Sequence, residues 1–382
     1  VNESISQFGA ALRGVLDGWA TVSPAVSGDG MGDAWFQEWA LRLFRLQLEF
    51  NAAYRTECAG SGVTAESVQN WQAIPAVPTV AFKELTLTSL PVERRLRVFH
   101  SSGTTGQIPS RHFHDTESLA LYESSLWPWF RRHLLPSSHA EEAGGQGLAP
   151  VPVFLTPPPE QVPNSSLAHM LSCVAREMRS GAPVFFGTVD ADATWHLRPE
   201  ALIEAFATAC DSGRPVLLAG TAFNFVHLLD HLERTGTRWS LPAGSRVMET
   251  GGYKGRSRVL SRTELHEGIS GRLGVPGEWI VSEYGMSELS SQAYDAVVGE
   301  GGVRRLRFPP WARAVVVSVE TGREVKDGDT GLLRIVDLAN AWSVLAVQTE
   351  DLAVRRGDGF ELLGRAPAAE ARGCSLRSFG GS

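Results

Sequence analysis

Between Phe99 and Asp115 the chain reads FHSSGTTGQIPSRHFHD, with hydroxyl side chains at Ser101, Ser102, Thr104 and Thr105 and glycines at 103 and 106. Glycines let a backbone come close to an anion and turn successive N–H groups toward it. Ser and Thr hydroxyls add donors without closing the approach. The chemistry this composition suits is the holding of phosphate. A solvated polar loop has the same composition, and composition alone leaves both open. Neither common nucleotide pattern is present. GxxxxGK[ST] needs four residues between its glycines and a lysine after the second. Here two threonines separate Gly103 from Gly106, and Gln107 follows.

Other reactive side chains are scattered. The four cysteines, Cys58, Cys173, Cys210 and Cys374, form no CxxC pair, which argues against a disulfide framework or a zinc site and for a reducing cytoplasm. His112 and His114 are the closest histidine pair, without further ligands at useful spacing. The 382 residues carry a net charge of −7, so nothing invites nucleic acid or an anionic membrane surface. No apolar run approaches the roughly eighteen residues of a membrane span, and the first residues, VNESISQFGAALRGVLDG, lack the pattern of a signal peptide.

The elements that must position these groups follow from periodicity. Residues 33–60 place Trp35, Trp39, Leu43, Leu46 and Phe50 at helical spacing, which predicts one amphipathic helix closing near Gly60. A Pro-rich passage, AIPAVPTVAFKEL, leads in extended form to the hydroxyl-rich stretch, and residues 136–150 read as an exposed linker. Beyond it, the apolar runs VPVFL, APVFFG and PVLLAG alternate with the helical patterns ALIEAFATAC and AFNFVHLLDHLERTG. Strands interleaved with helices predict an α/β protein with a largely parallel sheet. From about residue 312, short strands separated by Gly and Asp turns predict a smaller β-rich lobe.

Four motifs, in order, resemble those of the adenylate-forming superfamily, the acyl- and aryl-CoA ligases and their relatives. SSGTTG (101–106) matches its phosphate loop. METGGYKG (248–255) resembles the segment that lies against adenine, and SEYGMSEL (282–289) the YGxTE box, with Ser287 where threonine is commoner. QTEDLAV (348–354) with DGFELLGR (358–365) resembles the elements that grip ribose. The resemblance implies ATP and Mg²⁺ as cofactors and a carboxylic acid as substrate. It implies that Ser101, Ser102, Gly103, Thr104, Thr105 and Gly106 hold the β- and γ-phosphates and that Glu288 holds Mg²⁺, a hard cation suited to carboxylate and phosphate oxygens. Asp351 and Arg365 would bind the ribose; Gly251, Gly252, Tyr284 and Gly285 would line the adenine and acyl-adenylate slot. The helix GTAFNFVHLLDHL (220–232) resembles the one that walls the acyl pocket, with Phe223, Phe225 and His227 as candidates.

Two departures matter. The family lysine after the phosphate loop is absent, and Arg111 is the candidate for its charge. Seventeen residues follow Arg365, where typical ligases carry a mobile domain of about a hundred residues, near the small end of domain sizes. VPTVAFKEL, SSGTTGQIPSRHFHDTES, LTPPPEQVPNSSLAHMLSCV and ARGCSL resemble the LuxE-type acyl-protein synthetases, which are short in the same way. That branch implies acyl transfer from AMP to Cys374, a thiol whose neighbour Arg372 would favour the thiolate, and onward passage to a reductase or carrier-protein partner. Two alternatives stand beside it: a ligase that uses coenzyme A or a carrier thiol, and an adenylate-binding subunit without turnover.

The expected architecture is thus a large α/β adenylation core with mixed sheets flanked by helices, over 1–365. It comprises a helical region 1–90, a nucleotide-binding region 91–300 and a β-rich lobe 301–365. A tail, 366–382, stands in place of the mobile domain.

Overall fold

The computed structural model describes residues 3–21, 31–101, 108–136, 148–180, 184–191, 194–251 and 260–366. In chain order these form α1 (Ile5–Thr21), α2 (Asp33–Phe50), α3 (Ala52–Gly60), β1 (Val77–Pro78), α4 (Ala81–Glu84), β2 (Arg97–His100), β3 (Arg111–His114) and α5 (Thr116–Leu134). There follow β4 (Val151–Phe154), α6 (Ser166–Glu177), β5 (Gly187–Val189), β6 (Trp195–Leu197), α7 (Pro199–Asp211), β7 (Val216–Thr221), α8 (Ala222–Arg234), β8 (Arg246–Thr250), α9 (Arg262–Leu273), β9 (Ile280–Tyr284) and β10 (Ala293–Tyr294). The last four strands are β11 (Ala312–Val317), β12 (Thr330–Asp337), β13 (Ala346–Arg356) and β14 (Gly359–Arg365). The chain divides into two compact units, one of residues 1–128, 285–293 and 305–382, the other of 129–284 and 294–304.

In the second unit, β9, β8, β7 and β4 lie side by side in that order, all parallel. Every residue of β7, VLLAGT, is buried, as expected of a parallel strand covered on both faces. Leu202 and Phe206 of α7, Phe225 and Leu229 of α8, and Leu265 and Ile269 of α9 pack with Val153, Leu218, Val247 and Ile280 of the strands in one apolar core. Capping boxes start the helices that follow β7 and β8: Thr221 with Asn224, and Ser261 with Glu264. Gly274 ends α9 in the left-handed conformation, at φ 69°. Of the run APVFFG, the first two residues lie outside the described ones. Phe185 makes a single bridge to Phe154, and β5 begins only at Gly187.

In the first unit, β11 to β14 form an antiparallel sheet, which β1 joins in parallel beside β13. The β-rich character expected beyond residue 312 is present. Residues 33–60 form two helices rather than one. The break falls at Asn51, whose Oδ1 accepts from Tyr54 N at 3.2 Å while its Nδ2 donates to Ser343 O at 3.0 Å. A buried Asn held by those two partners starts α3 as an N-cap and cannot continue α2. Among the described residues, no helix is long and apolar enough to cross a membrane.

Candidate active site

Within the first unit, β2 and β3 make an antiparallel hairpin in which His100 faces Arg111. The connection is therefore 101–110, and its base is tied where Ser110 N donates to Ser101 Oγ at 3.0 Å. Ser102, Gly103, Thr104, Thr105 and Gly106 lie outside the described residues. Strand alternation puts Ser110, His112 and His114 on the buried side, with Arg111 and Phe113 more exposed.

That buried polar face meets Ser287. The hydroxyls of Ser110 and Ser287 are 3.3 Å apart, and Ser287 Oγ donates to Glu288 Oε2 at 2.9 Å. Each hydroxyl has one proton, so Ser110 is the donor to Ser287. The Ser287 carbonyl lies 2.9 Å from His112 Nδ1. A carbonyl only accepts, which fixes the proton on Nδ1. Burial pushes the His112 pKa down to about 4, partly offset by this bond, so the ring is neutral at physiological pH. Asn340 Nδ2 donates to the Glu288 carbonyl at 2.9 Å, and Asp337 accepts from the amides of Ser290 and Ser291 at 3.0 and 2.8 Å. Glu288 is thus fixed through its side chain, its own carbonyl and both flanks, with 5% exposure.

Glu288 could take part in holding Mg²⁺. It offers a hard carboxylate with no basic partner among the described residues. A hard cation there would complete its shell with phosphate oxygens and water. No group of three or more His, Cys, Asp or Glu among the described residues could hold a metal by itself.

Arg111 keeps its Nε buried without a hydrogen-bond partner among the described residues, and its NH2 reaches Lys83 O only at 3.5 Å. Its charge and burial together hold the facing His100 below the ordinary histidine range, burial being the larger cause. Asp351 and Arg365 are cross-strand partners on β13 and β14. Their charged atoms are 3.9 Å apart, and Arg365 is 78% exposed, a loose pair of small energetic weight. Cys374 lies outside the described residues.

In the second unit, β8 and β9 end side by side, with Thr250 opposite Glu283. Ligands of parallel α/β sheets bind beyond such carboxyl ends. Gly251 follows at once, and a Cβ placed there would meet no atom of the described residues within 4 Å; Gly252 lies outside the described residues. Tyr284 is buried at the end of β9, and Gly285 opens the segment that carries Ser287 and Glu288.

The strand-end carboxylates were not among the residues expected from sequence. Glu249 accepts from Ser282 Oγ and lies 3.2 Å from His266 Nε2. Glu283 is pushed up to about 7, chiefly by burial; the Thr250 hydroxyl works against this and Glu249 adds to it. Asp295 takes Ser282 N at 2.8 Å and pairs with Arg304 at 3.1 Å. The available signal was an acid near the end of each apolar run, RVMET and IVSEY.

Of the acyl-pocket candidates, Phe225 is fully buried in the apolar core of α7, α8 and α9. Phe223 is buried at the start of α8, its ring 4.3 Å from that of His227. His227 itself lines a cavity of about 150 Å³ with His196, His231, Arg234, Leu202 and Ile203.

Residues 184–378 match the family described as acyl-protein synthetase, LuxE. A long-chain-fatty-acid–luciferin-component ligase of Vibrio harveyi is 23% identical over 342 residues, covering 85% of this chain and 82% of the relative. A 2-hydroxyisobutyryl-CoA ligase, solved in its postadenylation state with 2-HIB-AMP, is 13% identical. It covers 90% of this chain and 69% of that one, with a TM-score of 0.62. At that identity the likeness speaks for the fold, which is that of adenylate-forming ligases. The chain spans about half the length (49%) of an ATP-bound RpMatB–BxBclM chimera, 17% identical over 72% of this chain with a TM-score of 0.47.

Proposed function

The chain belongs to the LuxE acyl-protein synthetase family of adenylate-forming ligases, and from that premise we propose that it activates a carboxylic acid with ATP and passes the acyl group to a thiol. The family and the ligase relative support ATP-dependent acyl activation. The relative's name specifies a long-chain fatty acid, and a fatty acid is the substrate we assign here. In the first step the acid's carboxylate oxygen attacks the α-phosphorus and pyrophosphate leaves. In the second, a thiolate attacks the acyl carbonyl and AMP leaves.

The observation that carries this proposal is the tie between the hydroxyl-rich loop and the SEYGMSEL segment: Ser110 and His112 both bind Ser287, and Ser287 binds Glu288. Two motifs far apart in sequence meet through side chains that have no apolar reason to be buried. Ser101 and the hydroxyls that follow it bind the departing phosphates, and Arg111 supplies positive charge at the foot of the same hairpin. Glu288 holds Mg²⁺, which supplies charge neutralisation to the phosphate oxygens when bound. Asp351 and Arg365 take the ribose; Gly251, Gly252, Tyr284 and Gly285 leave room for the base and the adenylate. Phe223 and His227 belong to the acyl side, and Phe225 supports them from the core.

Cys374 is the proposed acceptor, reacting as thiolate. An acyl reductase is the proposed partner, and the cytoplasm the proposed setting. Intact mass after incubation with MgATP and a panel of fatty acids tests this directly. The expected result is an acyl adduct, labile to hydroxylamine, that disappears in Cys374→Ser. An adduct that persists as a thioester in that variant, or forms only on added coenzyme A, overturns the acceptor assignment.

A further inference from the structure

The strand Arg111–His114 is patterned against expectation. Its more exposed positions hold Arg111 and Phe113, while its buried positions hold two imidazoles whose rings lie 4.2 Å apart. Exchanging Phe and His in a half-buried strand would place the apolar ring inside at no cost in propensity. Burying a neutral imidazole needs a hydrogen bond to recover its desolvation. His112, at 3% exposure, has that bond, and its acceptor is the main-chain carbonyl of Ser287.

Ser287 is held at two points by one arm of the hairpin: at its hydroxyl by Ser110, just before β3, and at its carbonyl by His112, within it. Ser110 immediately precedes β3 and His112 lies within it, both buried and two residues apart, so they move together. The first residue of the same hairpin connection, Ser101, is bonded to the Ser110 amide. A shift of the hairpin therefore moves Ser287, and Ser287 moves the Glu288 carboxylate through the 2.9 Å bond between their side chains.

We infer that His112 is a positioning residue, which through the Ser287 carbonyl sets Glu288 in register with the foot of the 101–110 connection. It acts as a neutral Nδ1–H donor and transfers no proton. This rests on the function proposed above, in which Glu288 holds the metal that accompanies ATP. The role predicts a particular signature: loss of the His112 donor weakens the contribution of Mg²⁺ to ATP binding and lowers kcat, with little change in affinity for the acid.

The test compares the full-length wild type with His112→Phe, which keeps an aromatic ring and removes the donor, and His112→Asn, whose amide can donate from nearly the position of Nδ1. Calorimetry with ATP is run with and without Mg²⁺, alongside acid-dependent pyrophosphate release. In the wild type Mg²⁺ should tighten ATP by about tenfold or more. In His112→Phe that increment should fall below about threefold and kcat by roughly 30-fold, the scale of one lost charge-positioning hydrogen bond. His112→Asn should recover both to within about threefold.

A His112→Phe protein with the wild-type Mg²⁺ increment and kcat overturns the inference and leaves the proposed function standing. So does a His112→Asn protein with the full loss. If His112→Phe does not fold, the Asn variant decides by the same criterion. A wild type that neither binds MgATP nor releases pyrophosphate removes the proposed function, and this inference with it.

Discussion

At the scale of single residues, the buried acids respond to pH in a way that can be measured without any ligand. Glu283 has a pKa of about 7 against an ordinary value of 4.5, because burial and the Glu249 charge both disfavour ionisation. Its pKa is raised, so between those two values the folded chain binds more protons than the unfolded one. Stability from this group is fully present below about pH 4.5 and is lost as pH rises through about 7. A shift of that size corresponds to roughly 3 kcal/mol. Glu283→Gln should remove this dependence, so the variant gains on the wild type by roughly that amount at pH 8 and little at pH 4.5. Urea unfolding at the two pH values measures the difference. Parallel pH dependence in the two proteins would show that the Glu283 carboxyl ionises freely. Sequence did not point to this residue. An acid in the run IVSEY reads as the polar end of a strand, and its burial depends on what covers the sheet.

Elements were legible in proportion to how local their causes are. The buried parallel strands VPVFL and PVLLAG could be read from apolar runs, and helices α7 and α8 from spacing, because burial on both faces writes itself into composition. The break between α2 and α3 could not, since Asn51 is committed by a carbonyl 292 residues away. The hold on Ser287 was hidden for the same reason: His112 and Ser110 lie 175 and 177 residues from it. The motifs themselves could be quoted, but their joining could not. Asp337 is the clearest case of an element held by one side chain. At the end of β12 it accepts from Ser290 N, Ser291 N, Ser291 Oγ and Ala339 N. Asp337→Ala leaves several buried donors unpaired, and a loss of about 3 kcal/mol or more is expected in chemical unfolding. Asp337→Asn, which keeps one acceptor oxygen, should lose less. A loss below about 1 kcal/mol in the alanine variant would show that water replaces the carboxylate in those bonds.

At the scale of the whole molecule, the two compact units are each assembled from separated stretches of chain, and the short segment 285–293 belongs with the first unit although 129–284 belongs to the second. A serial division of the sequence does not anticipate this, because the segment's partners lie on both sides of it, Ser110 and His112 earlier in the chain and Asp337 and Asn340 later. Glu288 lies in that segment, and adenylation chemistry is the property proposed for the assembled molecule. Exchange of labelled pyrophosphate into ATP, with Mg²⁺ and a series of fatty acids, reports the first half-reaction without needing the acceptor thiol or a partner. The expected result is exchange that depends on added acid and falls by roughly 100-fold or more in Glu288→Gln, the scale of about 2.7 kcal/mol of transition-state stabilisation. No acid-dependent exchange in the wild type, or undiminished exchange in a folded Glu288→Gln protein, would contradict it.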